Sequence, residues 1–322
     1  MALFALSLAQ GSTILAISIK AGTIKGYLRA AAGLSKHAQL ADPTRNFEGK
    51  LADPIQRVLH EQKRWEEMPN RREPVEPIMI DDMWELCKLL SIDSLEYALY
   101  DWNVLGQVFG FRLSEWAQNE EDKKNYPKKA VDGTSLAFII DDFVFLGRNG
   151  IYIIQGFEVA LRPDDIENIE IRWRYQKNND NGQRISVARN RRDPKKCPVL
   201  AAIRIYLRAQ RLNTAANQPL AVFKKKNKTT FITNRMISKH LQGSARRTYN
   251  INDKKKLSLW TPYSIRVSAC VLLSTIGKDG PFIQLRLRWR SLAFMDYLRN
   301  TRTLAKEHAT ALARAADQFK NS

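Results

Sequence analysis

The sequence predicts a mostly helical protein with one small β-sheet, an α+β architecture in two domains. Three observations carry that prediction. Apolar residues recur at helical spacing over the first seventy-odd positions and again from Val199 onward. A block between Leu136 and Ala188 is rich in β-branched and aromatic residues, which is strand chemistry. Between the first helical stretch and the rest lies residues 68–77, with Pro69, Pro74 and Pro77 among charged residues. Such a segment cannot continue a helix and reads as a linker, dividing residues 1–77 from 78–322. A chain of 322 residues accommodates two domains.

Taken in order, residues 1–19 look superficially like a signal peptide. They lack a basic start and are broken by Gln10, Gly11, Ser12 and Thr13, so a buried helix is expected. Thr23 is expected to cap a helix carrying Ile24, Tyr27, Leu28 and Ala31, and residues 54–65 form another through Ile55, Val58, Leu59 and Trp65. Beyond the linker, Asp81 and Asp82 cap a helix through Leu90, and residues 94–118 read as one or two more. Residues 136–146 and 166–175 read as strands. Asn178-Asn179-Asp180-Asn181-Gly182 is a hairpin signal, with residues 184–188 as the returning strand. Helical patterns resume at 199–211, 233–243, 264–276 and from 291 to the end. The last of these places Leu304, His308, Ala311, Leu312, Ala315 and Phe319 on one face, suited either to its own domain or to a neighbouring protomer. Lys224-Lys225-Lys226 and Lys254-Lys255-Lys256 read as solvated runs in polar loops.

Composition narrows the function. A hydrophobic content of 44% supports real cores, while 52 Lys and Arg against 33 Asp and Glu give a net charge of +19. A polyanion is the expected partner, and nucleic acid is the most economical one. Cys87, Cys197 and Cys270 are far apart, no CxxC pair occurs, and the four histidines are dispersed. That argues against a disulfide framework or a zinc site and fits a reducing compartment. No apolar run reaches membrane-spanning length without polar interruption, so a soluble intracellular protein is expected.

Metal-free cleavage of a phosphodiester needs a nucleophile, cations on the nonbridging oxygens and an acid for the leaving oxygen. Arginine suits the second task because its planar fork pairs with phosphate and keeps its charge. Arg112 stands in Gly110-Phe111-Arg112-Leu113-Ser114-Glu115, with Glu115 one helical turn away to hold its guanidinium. Lys177 is at the expected hairpin tip. Tyr263 and Arg266 open an expected helix, whose N-terminus favours an anion. Trp289 offers an indole donor eight residues before Tyr297. Each also has an ordinary reading: a surface ion pair, a solubilising lysine, a capped amphipathic helix, core aromatics.

In order and local context these residues resemble the tyrosine recombinase (phage-integrase-like) family. The resemblance covers about residues 95–300, and the stretch Thr23-Ile24-Lys25-Gly26-Tyr27-Leu28 looks like the family's helical core-binding domain. It implies a helical DNA-binding domain at 1–77 and a recombinase catalytic domain at 78–322. It further implies Tyr297 as the nucleophile that forms a 3′-phosphotyrosyl link to DNA. Arg112, Arg266, Tyr263 and Trp289 would stabilise the transition state, Glu115 would orient, and Lys177 would protonate the leaving 5′ oxygen. The implied activity is site-specific recombination or integration on double-stranded DNA, by a homo-oligomer (a tetramer) on paired sites, without metal or nucleotide cofactor. Tyr263 departs from the family's usual histidine; a phenol donates a hydrogen bond but does not become a cation near neutral pH. Two alternatives stand beside this reading: a non-catalytic DNA-binding protein derived from a recombinase, or a DNA-relaxing topoisomerase of type IB character.

Overall fold

The computed structural model describes residues 1–10, 19–65, 71–117, 129–148, 152–154, 162–176, 181–298 and 309–310. The chain divides into two compact units, Met1–Asn70 and Arg71–Ser322.

In the first unit, helices α1 (Ala2–Ala9), α2 (Ala21–His37) and α3 (Asp53–Trp65) enclose a small core of Ala5, Leu8, Ile24, Leu28 and Ile55. Helix α1, expected as a buried helix, buries one face through Ala5 and Leu8 and leaves Leu3, Phe4 and Leu6 exposed; residues 11–18 lie outside the described part. Thr23 does not cap α2. The helix starts two residues earlier, after Lys20, and the Thr23 amide already donates to the Lys20 carbonyl at 2.8 Å.

The second unit begins before the expected boundary. Trp260 Nε1 donates to the Pro74 carbonyl (3.1 Å), the Glu73 amide to that of Leu259 (3.3 Å), and Val75 is buried. Residues 71–77 therefore pack as part of the second unit rather than bridging the two. Pro77 opens α4 (Pro77–Cys87) at a position where its missing N–H is harmless. Asp81 and Asp82 accordingly sit inside the helix rather than capping it, and pair with Lys196 (2.7 Å) and Arg247 (2.8 Å). Ser94 caps α5 (Leu95–Phe109) by accepting from the Tyr97 amide, and Gly110 ends it in the left-handed conformation, φ +58°. Helix α5 is the hub of the unit, with every residue from 98 to 106 buried. A single turn, α6 (Leu113–Trp116), comes next and stacks Trp116 on Trp102 at 5.0 Å between ring centres.

The sheet comprises β1 (Phe143–Gly147), β2 (Tyr152–Ile154), β3 (Ile166–Trp173) and β4 (Gln183–Ala188), ordered β2-β1-β3-β4 with every pair antiparallel. The expected strand at 136–146 is shortened at its start. There the buried Asp142 carboxylate accepts from the Ile139 amide (2.9 Å) and pairs with Arg174 (2.7 Å), winding residues 140–142 into a 3₁₀ turn. Strands β3 and β4 pair from Trp173↔Gln183 to Asn168↔Ala188, as a hairpin whose turn residues 177–180 lie outside the described part.

Helix α7 (Pro198–Arg211) packs on α5, and β5 (Val222–Lys225) and β6 (Lys228–Phe231) form a second hairpin. The lysine run is thus partly strand; Lys226 and Asn227 both adopt positive φ, the geometry of a two-residue hairpin turn. Thr233 caps α8 (Asn234–Tyr249), which continues past Gly243. Then come the one-turn α9 (Lys254–Leu257), α10 (Ser264–Thr275), α11 (Gly280–Leu287) and α12 (Met295–Leu298). Helix α10 lies against α5 so closely that a β-carbon on Gly106 would stand 2.3 Å from Ile265 Cγ2. Mostly α with small β-sheets is thus the fold class, as the sequence predicts. Cys87, Cys197 and Cys270 are buried free thiols. Among the described residues no helix is long and apolar enough to cross a membrane.

Candidate active site

The ends of α5, α10 and α11 meet in one place and carry the charged residues of interest. Gly110 turns the chain out of α5 beside α10 and α11: a β-carbon there would lie 3.3 Å from Ala269 Cβ and 2.9 Å from Leu287 Cδ2. Two residues on, Arg112 precedes α6. Its amide donates to Glu115 Oε2 (2.9 Å), and its Nη1 donates to Oε1 (3.1 Å). The helical spacing seen in the sequence is therefore a real ion pair, with the Arg112 side chain 18% exposed and that of Glu115 4%.

Arg266, in the first turn of α10, is almost wholly buried. Its Nη1 donates to the Gly110 carbonyl (2.5 Å), at the end of α5, and its Nη2 to the Leu287 carbonyl (2.6 Å), at the end of α11. These are the unsatisfied acceptors and negative dipole ends that a cation neutralises. The guanidinium also lies 4.4 Å from the centre of the Trp289 ring, a cation–π contact. Burial, with Arg112 nearby, pushes Arg266 down to about 10, while Glu115, Tyr263 and Tyr297 oppose that shift. It remains charged at neutral pH.

Tyr263 immediately precedes α10, and its hydroxyl is 2.8 Å from that of Tyr297 on α12. The Tyr297 ring also packs 5.8 Å from Trp289, whose buried Nε1 has no hydrogen-bond partner among the described residues. Burial first, then the hydrogen bond with Tyr263, raises the Tyr297 phenol above its ordinary value; Arg266 pulls the other way. Tyr297 borders a cavity of about 850 Å³ whose wall includes Glu73, Pro74, Tyr249 and Val271. Trp289 borders another of about 680 Å³, beside Asn181, Gln183 and Gln284.

Six of the seven candidates thus fall in two neighbouring sets: Arg112 pairs with Glu115, Arg266, Trp289, Tyr297 and Tyr263 form a chain of contacts, and Arg266 feels the charges of Arg112 and Glu115. Lys177, the seventh, lies outside the described residues, as do Leu304, His308, Ala311, Leu312, Ala315 and Phe319 of the trailing helix; only Ala309 and Thr310 are described there. One member had no signal in the sequence pattern. Arg288 donates from Nη2 to Glu115 Oε2 (2.9 Å) and from Nη1 to the Phe109 carbonyl (3.0 Å), and its guanidinium lies 3.8 Å from the centre of the Trp173 ring. Burial pushes it down to about 9, with Glu115 opposing and Arg266 and Arg112 adding to the fall. Two guanidiniums on one carboxylate, with Arg266 adjoining, leave the cluster positively charged. Among the described residues no group of three His, Cys, Asp or Glu stands together as a metal site would require.

No protein-family model matches the chain, and no curated protein matches it in sequence. Among solved structures it is similar to the Tn1549 transposon integrase (residues 82–397) in complex with circular-intermediate DNA. The identity is 13% and the TM-score 0.45, over 96% of this chain and 83% of that one. A tyrosine-to-phenylalanine variant of the same integrase, with transposon right-end DNA, gives 14% identity and a TM-score of 0.42, over 92% and 80%. An arginine-to-lysine variant with another circular intermediate gives 13% and 0.45, over 91% and 80%. Likeness at this level assigns neither residue roles nor activity to this chain.

Proposed function

We propose that this protein cleaves and rejoins double-stranded DNA through a tyrosine, as a recombinase or integrase. The observation that carries the reading is the Tyr297 hydroxyl, 2.8 Å from that of Tyr263, beside the Trp289 ring on which Arg266 also packs. A potential nucleophile thus stands next to a cluster with excess positive charge, in a chain of net charge +19.

In this reading the Tyr297 oxygen attacks a backbone phosphate as the half-buried phenol passes its proton to solvent water. The bond from phosphorus to the 5′ oxygen breaks, and that oxygen takes a proton from Lys177. A free 5′-hydroxyl reverses the step on the same or another strand. The phosphotyrosyl link conserves the bond energy, so the cycle needs no nucleotide. Arg112 and Arg266 balance the charge that grows on the nonbridging oxygens, Trp289 Nε1 and Tyr263 Oη donate to them, and Glu115 orients Arg112. The Met1–Asn70 unit adds a second DNA-binding surface, and pairing of two sites calls for a homo-oligomer.

A specific observation favours a second reading. Both Nη atoms of Arg266 already donate to backbone carbonyls, and a phenol stands at 263. A protein that only binds DNA would use Arg266 as a structural tie. Incubating the full chain with a labelled duplex nicked near the cleavage position, then running a denaturing gel, separates the two. Strand cleavage gives a protein–DNA adduct that Tyr297→Phe abolishes while duplex affinity stays within about threefold, since only a hydroxyl is lost and the basic surface is kept. An adduct that survives Tyr297→Phe removes Tyr297 from the role. Binding with no adduct from any nicked duplex favours the non-catalytic protein.

A further inference from the structure

Arg288 stands at the end of α11 in the left-handed conformation, φ 57°, where glycine is the ordinary occupant. A side chain held there against that preference calls for strong surroundings. It has them. The guanidinium packs on Trp173, binds the Phe109 carbonyl and Glu115, and its side chain is only 1% exposed.

The consequence for Arg112 comes from how Glu115 is shared. One carboxylate oxygen serves Arg112 Nη1, and the other serves Arg288 Nη2 and the Arg112 amide. The Arg112 guanidinium therefore does not close on Glu115 as a two-pronged pair, the arrangement an arginine and a carboxylate otherwise favour. Its Nη2 donates instead to the Arg288 carbonyl, at 3.4 Å. Arg288 thus holds Arg112 at two points, through Glu115 and through its own backbone, while offsetting part of the carboxylate's charge.

The geometry points to Arg288 as the positioning cation of this site: it shares Glu115 with Arg112, keeps Arg112 available to a phosphodiester, and adds a buried positive charge beside it. Arg288 is engaged by Glu115, the Phe109 carbonyl and the Trp173 ring, and acts through these neighbours. The inference rests on the strand-cleavage reading above.

The test uses the full chain, a nicked duplex, single-turnover cleavage and duplex affinity. Arg288→Met should slow cleavage by about tenfold to a hundredfold, the scale of a small misplacement of a reacting group, with affinity within about threefold. Arg288→Lys restores the charge without the fork and should recover a measurable part of the rate. Combining Arg288→Met with Glu115→Gln should be no slower than the slower single variant, because both act through one contact network. Should Arg288→Met not fold, Arg288→Gly replaces it, since glycine suits that backbone.

Cleavage by Arg288→Met or Arg288→Gly within about twofold of wild type overturns the inference and leaves strand cleavage standing. A lysine variant no faster than the methionine one, or a double variant whose losses multiply, also overturns it. A wild-type chain that never forms an adduct overturns the strand-cleavage reading and this inference together.

Discussion

Among the described residues of the second unit, two clusters each have two arginines sharing one buried carboxylate, and they differ in what surrounds them. Asp101, on α5, takes Arg204 Nε at 2.6 Å and Arg208 Nη2 at 2.5 Å, both from α7 and one helical turn apart. Arg208 and Asp101 are completely buried, Arg208 Nε also donates to the Ile92 carbonyl, and Arg204 lies against the rings of Tyr97 and Tyr100. Glu115 instead takes one arginine from its own short turn and one from the end of α11. There Arg112 reaches solvent, and the cluster adjoins a third arginine and two linked phenols. The same stoichiometry serves different ends. Around Asp101 it locks one helix to another; around Glu115 it presents a cation.

Removing the presented cation should have the largest effect on chemistry. Arg112→Ala should slow adduct formation by about two to four powers of ten, because it removes a positioned transition-state charge. Its thermal midpoint should stay close to wild type. Cleavage within about threefold of wild type would make the Glu115 cluster as structural as the other. Asp101→Asn should do the opposite, leaving the buried Arg208 guanidinium and the half-buried Arg204 one short of compensation. A loss of about 3–5 kcal/mol in stability is expected, read by denaturant titration, with adduct yield per folded molecule unchanged. A stability loss below about 1 kcal/mol would show that the locking role is misjudged.

Tyr263→Phe sharpens the comparison from the phenol side. Loss of one hydrogen bond to a charged group should reduce cleavage by roughly tenfold to a hundredfold, and Tyr263→His should remain active, with more advantage below neutral pH where imidazole becomes a cation. An active Phe variant beside a dead His variant would make Tyr263 a packing residue.

The smallest effect concerns acid. Burial pushes His240, on α8, down to about 4, with Arg247 adding to the shift and Asp82 opposing it. Its folded value lies below its unfolded one, so its contribution is complete above about pH 6.5 and is lost as pH falls toward 4. About 2 kcal/mol should disappear between about pH 7 and pH 5, and His240→Asn should flatten that part of the stability profile. A wild-type profile flat over that range would contradict a depressed imidazole at His240.

Much of this was legible along the chain, for identifiable reasons. Arg112 and Glu115 are a local pair, set by helical spacing, and the β3–β4 hairpin is carried by alternation and turn residues. Arg288 was not legible. In Arg286-Leu287-Arg288-Trp289-Arg290 it looks like one more surface charge, and its partner Glu115 is 173 residues away. Only the left-handed end of α11 separates it from its neighbours. The caps at Thr23 and at Asp81 and Asp82 were misplaced because α2 and α4 begin earlier, α4 with Pro77 in its first turn. The β5–β6 hairpin was hidden because Lys224-Lys225-Lys226-Asn227-Lys228 interrupts the strand-forming residues on either side, Val222-Phe223 and Thr229-Thr230-Phe231.

The contact between Gly106 and Ile265 has a consequence that no charge carries. Arg266 stands directly after Ile265, so the depth at which α10 seats on α5 sets where that guanidinium meets the Gly110 and Leu287 carbonyls. A methyl group at 106 cannot be absorbed by a buried β-branched side chain and must lift the helix. Gly106→Ala should therefore behave as a conditional allele: competent in the cold, silent a few degrees warmer, with its net charge and every candidate site residue unchanged.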